Sequence, residues 1–252
     1  MNGAAGEDIA SYRGALRDYK VTGLSGVITV ADVTASRDGR DTLERVESLR
    51  FADFEINTAV KAVSQSVCRA SLDRVVELYV ALFNRIPDAN GLSYWLTPAK
   101  AGTPISTIAD TIYGAGVQYS SLNRFSAAMT NADFVNLIHR KVLGRKDGAD
   151  AEGLAYWTGE LSSGRASRST QVNTILDSAH TFRGNATFEY VADLLGNKNA
   201  VAKQIAVDWG LNYLTADASI TNGMAIAKAL TATDTSVAVA LVGITPGSIN
   251  LG

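Results

Sequence analysis

The chain has 252 residues, 46% of them hydrophobic, which is enough to bury one or two ordinary cores. A net charge of −2 carries none of the basic surplus that marks a nucleic-acid partner, and the 19% charged share lies below the usual globular value of about 25%. One cysteine and two histidines exclude an internal disulfide pair and a cysteine- or histidine-rich metal site, and no apolar run reaches the ~18 residues of a membrane-spanning helix.

The first residues, Met1-Asn-Gly-Ala-Ala-Gly6, lack the basic and apolar layout of a cleaved leader. The sequence is therefore cytosolic, exported without a cleaved leader, or a piece of a longer exported chain. Low Cys and Lys with high Gly, Ala, Thr and Asp favour the exported readings.

Residues 1–56 read as strands. In "YKVTGLSGVITVAD", Tyr19, Val21, Val27, Thr29 and Ala31 alternate around Gly23–Gly26, which predicts a hairpin with a four-residue loop. A turn-rich stretch then leads to Val46, Leu49, Phe51 and Phe54.

From 57 to 215 the period becomes helical. Leu72, Val75, Val76, Tyr79, Leu82 and Phe83 share one helix face, and Phe134, Val135, Ile138, Val142 and Leu143 share another. Val201, Ile205, Trp209 and Tyr213 predict a third stripe. Residues 216–252 are small and apolar, read as two short helices broken near Thr231–Thr235 and a loose Gly/Pro/Ser tail. The fold class expected is mainly α, with a small N-terminal β segment and two repeated helix-turn-helix units.

Those units, about 72–120 and 132–183, carry the most specific signal. Asp88, Gly91, Leu92, Tyr94 and Trp95 return 62 residues later as Asp150, Gly153, Leu154, Tyr156 and Trp157. "DRVVELYVALFNR" lies over "DFVNLIHRKVLGR", and "STIADTIYGAGVQY" over "STQVNTILDSAHTF". Helices kept in phase while loops shift are what a duplicated supersecondary unit looks like. A weaker echo at 188–198 lacks the aromatic pair. Asp88 and Asp150 precede helical stripes, where a carboxylate accepts from the first backbone N–H groups. Gly91 and Gly153 are poor helix formers one turn in, which suggests close approach of another helix. The Tyr and Trp of each copy supply large apolar surface with polar tips, and both rings are expected to be buried as one unit stacks on the next.

The phrases "LYVALFNRIPDANGLSYW" and "LIHRKVLGRKDGADAEGLAYW" resemble the L-Y-x-x-L-x-R-x-P-D-x-x-G-L-x-Y-W signature of a family known only as domain of unknown function 4214. The resemblance covers about 70–215. It implies a helical domain of bacterial exported and surface proteins, distantly related to phycobilisome-linker domains. The second copy lacks the Pro before Asp150 and has His139 where the first has Tyr79. The N-terminal zone is similar to the end of the calcium-binding glycine-rich nonapeptide (RTX-like) arrays of type I-exported proteins, through Gly39, Asp41, Leu43, Val46, Glu47, Leu49, Phe51 and Asp53. That likeness implies an uncleaved export signal at the C-terminal end, in 216–252.

Calcium is the one metal worth weighing, with Asp38 and Asp41 on one glycine turn and Asp147 and Asp150 on another. Turn formation and helix capping explain the same aspartates. Cys68 reads as a buried or partly buried thiol, His139 as a packed core histidine, and His180 as a surface or packing residue with no carboxylate at ligand spacing. The Ser-rich stretch 160–170 lacks a nucleophile elbow, and 113–118 lacks the Lys-Ser/Thr of a phosphate loop. Trp95, Trp157 and Trp209 read as core, with a sugar-stacking platform as the alternative. Paired carboxylates suited to glycoside hydrolysis are not singled out by any spacing. The expectation is a non-enzymatic bacterial surface module for attachment or self-assembly, its partner a copy of itself in a filament or lattice, or a surface polysaccharide. A calcium-dependent adhesion or folding module and a polysaccharide-acting enzyme are the alternatives.

Overall fold

A computed structural model describes residues 1–244 and 247–252. Helices account for 51% of the residues, so the chain is mainly α with a small N-terminal β segment.

Tyr19 and Val21 open the first hairpin, between β2 (Tyr19–Leu24) and β3 (Val27–Asp32). Leu24 pairs with Val27, so the loop is Ser25-Gly26 alone, not four residues. Both have positive φ, +51° and +81°, which is the geometry that matches the twist of the flanking strands. The inward face opposite Val21 is then Val30, which is buried, and not Val27, Thr29 and Ala31. Next to it run β4 (Arg40–Glu44) and, parallel to β2, β8 (Ile249–Asn250). The second sheet joins β1 (Ile9–Ser11), β5 (Ser48–Arg50), β6 (Phe54–Asn57) and β7 (Leu211–Tyr213) in that order. Each sheet thus takes one strand from the last fifth of the chain. The tail expected to be loose supplies β8, although its Thr245 and Pro246 lie outside the described residues.

The helical part opens with α1 (Val60–Gln65). The stretch read from the sequence as the first unit holds α2 (Arg69–Phe83), α3 (Ala89–Lys100) and α4 (Ile105–Gln118). After the short α5 (Ser120–Asn123), the second unit is α6 (Asn131–Lys141), α7 (Ala151–Ser162) and α8 (Arg168–His180). The predicted stripes of α2 and α6 hold: Val75, Val76, Leu82, Phe134, Val135 and Ile138 are fully buried. Side chains of this size contribute about 1.5–3 kcal/mol each on burial. His139 is buried in the register of Tyr79, its Nδ1 2.9 Å from the Val135 carbonyl, and burial depresses its pKa.

The third stripe does not hold as one helix. α9 (Glu189–Lys203) widens into a π turn over Gln204–Asp208, and the chain then becomes strand β7. Gly210 is the reason: its φ is +60°, and a Cβ there would lie 2.4 Å from the Asn57 carbonyl oxygen. Only glycine lets the chain turn so close against β6. Finally α10 (Ala216–Ala229) and α11 (Ser236–Ala240) follow, broken at 230–235 as the sequence predicts. Cys68 is exposed rather than buried, because it is the N-cap residue of α2, with its Sγ 3.1 Å from Ser71 Oγ.

Candidate binding groove

Asp88 caps α3 and Asp150 caps α7 in the same way. Each carboxylate accepts the N–H of the glycine three residues on, at 2.7 Å from Gly91 and 2.8 Å from Gly153. The two Tyr–Trp pairs are also alike, with Tyr94–Trp95 and Tyr156–Trp157 in edge-to-face contact at 4.9 Å between ring centroids. The glycines have a different reason from close helix approach. A Cβ on Gly91 would lie 2.7 Å from Asp88 Oδ1 and 3.2 Å from the Tyr79 hydroxyl; one on Gly153 would lie 3.1 Å from Asp150 Oδ1. Glycine here makes room for the cap itself.

Beyond this local likeness the copies differ. The N-terminus of α3 is tied to two adjacent strands of the second sheet. Asn90 N–H donates to Asn212 Oδ1 on β7, and Asn57 Nδ2 on β6 donates to Asn90 Oδ1, both at 2.7 Å. Helix α10 closes over the turn between α2 and α3. A Cβ on Gly223 would lie 2.6 Å from the Ile86 carbonyl oxygen, and Ile86 N–H donates to the Gly223 carbonyl. The close-approach glycine is therefore Gly223, not Gly91. Ser219, one turn earlier on α10, donates its hydroxyl to Asp88 Oδ2. Leu92, Trp95 and Leu96 are buried in consequence, whereas α7 buries no residue fully and Leu154 and Trp157 are only partly covered.

The same closure leaves a groove of about 980 Å³ between α3, α4 and the start of α10. Tyr94, 68% exposed, and Tyr119, 56% exposed, stand at it, with Leu122 beside them and Trp95 and Phe83 deeper in. The phenol rings of the repeat are thus on the surface, and only the indole of the first copy belongs to the core. On α4 the wall is Thr111, Gly114, Ala115 and Gln118, where nothing lies within 4 Å of a Cβ built on Gly114. The aligned residues of the second unit include Asp177 and Ser178, and Asp177 is committed to Arg74 on α2.

Polar groups are few and placed at the groove's base. The guanidinium of Arg85 lies 5.4 Å from the Tyr79 ring centre and 6.0 Å from that of Phe83. Its counterpart Arg145 instead pairs with the cap Asp150 at 2.9 Å. Asp88 has one oxygen on Gly91 N–H and the other on Ser219, so its ion pair with Arg85 is replaced. Tyr79 is buried, its hydroxyl lacks a hydrogen-bond partner among the described residues, and burial foremost, with Asp88 nearby, raises its pKa.

The aspartates expected as calcium ligands are separate from this groove. Asp38 accepts from Arg13 Nε at 2.7 Å and from the Tyr19 hydroxyl, and these donors hold its carboxyl below the usual range. Asp41 is exposed on β4, and Asp147 is exposed on the turn before Asp150. Each pair therefore holds one carboxylate already bonded to a guanidinium, where a cation would have to sit. Among the described residues no group of three or more His, Cys, Asp or Glu is placed to hold a metal ion. The residues present do not fit a cage of six to eight oxygens.

Sequence reasoning missed Arg85, Tyr119 and Leu122, and the whole α10 wall, because nothing in local spacing brings residues 216–220 to the first repeat. It also missed the Glu77 that meets His180, at 2.8 Å across 103 residues.

Residues 120–183 match the family described as domain of unknown function (DUF4214). The match spans α5 to α8, the second unit, and it is the family that the repeated phrase resembles. Neither the curated proteins nor the solved structures contain a match to this chain.

Proposed function

We propose that the chain is a non-enzymatic attachment module that holds a segment of a surface polysaccharide in the groove of its first unit. The observation that carries this reading is the pair of exposed rings, Tyr94 and Tyr119, flanking a cleft with Trp95 inside and Arg85, Asp88 and Gln118 at hand. Sugar rings offer apolar C–H faces to aromatic rings and hydroxyls to planar polar groups, and clefts with this division of labour are binding sites. Both oxygens of Asp88 are engaged, by Gly91 N–H and Ser219, which favours holding a ligand over trading protons with one. The likeness of the N-terminal zone to the end of RTX-like arrays supports an extracellular setting, with export information in 216–252.

The test is intrinsic fluorescence with a panel of short neutral oligosaccharides, since Trp95 lies in the groove. Saturable changes are expected, lost in the double variant Tyr94→Ala/Tyr119→Ala and kept in Tyr156→Ala. No binding by any member of the panel, or binding indifferent to the double variant, overturns the reading.

A further inference from the structure

We infer that a second cleft, between α2, α8 and α9, is an anion site built for a phosphate group. It encloses about 420 Å³ and lies apart from the aromatic groove, sharing no lining residue with it. Four basic side chains reach it from three directions: Arg69 and Arg74 on α2, Arg183 just after α8, and Lys203 at the end of α9. Two carboxylates face them, and both are already engaged. Glu77 is buried and meets His180 Nε2 at 2.8 Å, Arg74 Nε at 3.5 Å and Asn199 Nδ2 at 3.4 Å. Asp73 takes Lys203 Nζ at 2.5 Å and Arg69 Nε at 3.7 Å.

The cations are therefore in excess at the mouth. Arg74 is spent on Glu77 and on Asp177 outside the cleft. Arg69 shares its one carboxylate with Lys203, and among the described residues Arg183 has no carboxylate within 4.0 Å. In a chain of net charge −2 this is a local reversal of sign. Gly196 keeps the floor open, since a Cβ there would meet nothing within 4 Å. Asn199 is 8% exposed, lines the cleft, and has an Oδ1 with no hydrogen-bond partner among the described residues.

The geometry selects among anions. A planar carboxylate satisfies one guanidinium bidentately, whereas a tetrahedral phosphate presents oxygens to several donors at once and carries between one and two charges near neutral pH. Cations arriving separately from α2, the turn after α8 and α9 suit the second.

The experiment titrates inorganic phosphate into the full chain at constant ionic strength, followed by amide NMR and calorimetry. Saturable shifts are expected at residues 180–183 and 196–203, with the double variant Arg183→Gln/Lys203→Gln weakened by about tenfold or more and its far-UV spectrum unchanged. Acetate at the same ionic strength is expected to bind far more weakly. Vesicles of phosphatidylcholine with and without phosphatidic acid separate the sources: recruitment only with phosphatidic acid assigns a lipid headgroup, and none assigns a soluble phosphate. Unsaturable shifts, equal binding of acetate, or a double variant that binds like the parent overturns the site.

Discussion

The hydroxyl of Ser219 is bonded to the capping carboxylate of Asp88, 131 residues earlier in the chain. One carboxylate thereby starts α3 and anchors α10, while its counterpart Asp150 starts α7 and pairs with Arg145 at the surface. Losing a helix cap costs about 1 kcal/mol, and leaving a buried donor unmatched adds about 1–3 kcal/mol. Asp88→Ala is expected to destabilise by roughly 2–4 kcal/mol and Asp150→Ala by about 1 kcal/mol. Urea unfolding of the two variants measures the difference, and Asp88→Ala alone should also weaken oligosaccharide binding.

The capping glycines should respond oppositely to one added methyl group. Alanine in place of glycine within an exposed helix normally gains up to about 1 kcal/mol. Gly91→Ala places its Cβ 2.7 Å from Asp88 Oδ1, a carboxylate held by Ser219, and against Tyr79, so it is expected to lower the melting temperature. Gly153→Ala meets an Asp150 that is exposed and can yield by a few tenths of an ångström. Its melting temperature should stay level or rise.

Lys198 gives a pH dependence whose sign is fixed. Burial pushes it down to about 8, while its Nζ donates to the Lys141 carbonyl at 2.8 Å. Between pH 8 and lysine's ordinary value of ~10.4 the unfolded chain keeps a proton that the folded chain has lost, so stability rises with pH across that window. Lys141, also brought to about 8 by burial, acts in the same direction. Lys198→Met should flatten the slope of unfolding free energy above pH 8, and adding Lys141→Met should flatten it further.

Calcium and chelator are expected to leave the melting temperature unchanged. The carboxylates of Asp38 and Asp150 are matched by Arg13 and Arg145, so a divalent ion would displace a guanidinium at each pair. Differential scanning calorimetry with millimolar calcium and then a chelator checks this, and a rise with the ion would reinstate the metal.

What could be read from the residues was local. Periodicity placed α2 and α6, and the duplicated phrase placed the caps of α3 and α7, because both depend on neighbours a few positions away. Tyr94 and Tyr156 were misjudged for a related reason. A tyrosine beside a tryptophan scores as apolar surface, yet on a helix adjacent residues point about 100° apart, so burying Trp95 turns Tyr94 outward. The hairpin's loop was misread because Gly23 looked like a turn residue. It is a strand residue without a side chain, because a Cβ there would lie 2.8 Å from the Leu251 carbonyl oxygen. The groove was beyond reach altogether: Ser219 and Gly223 touch the first repeat only after the whole helical region has been laid down.

The parallel pairing of Val21 with Ile249 has a bearing on how the molecule is made. During synthesis the hairpin leaves the ribosome with an unpaired flank that stays open until the last strand arrives, and contacts this remote in sequence form slowly. A chaperone, or delayed compaction, would suit such a chain.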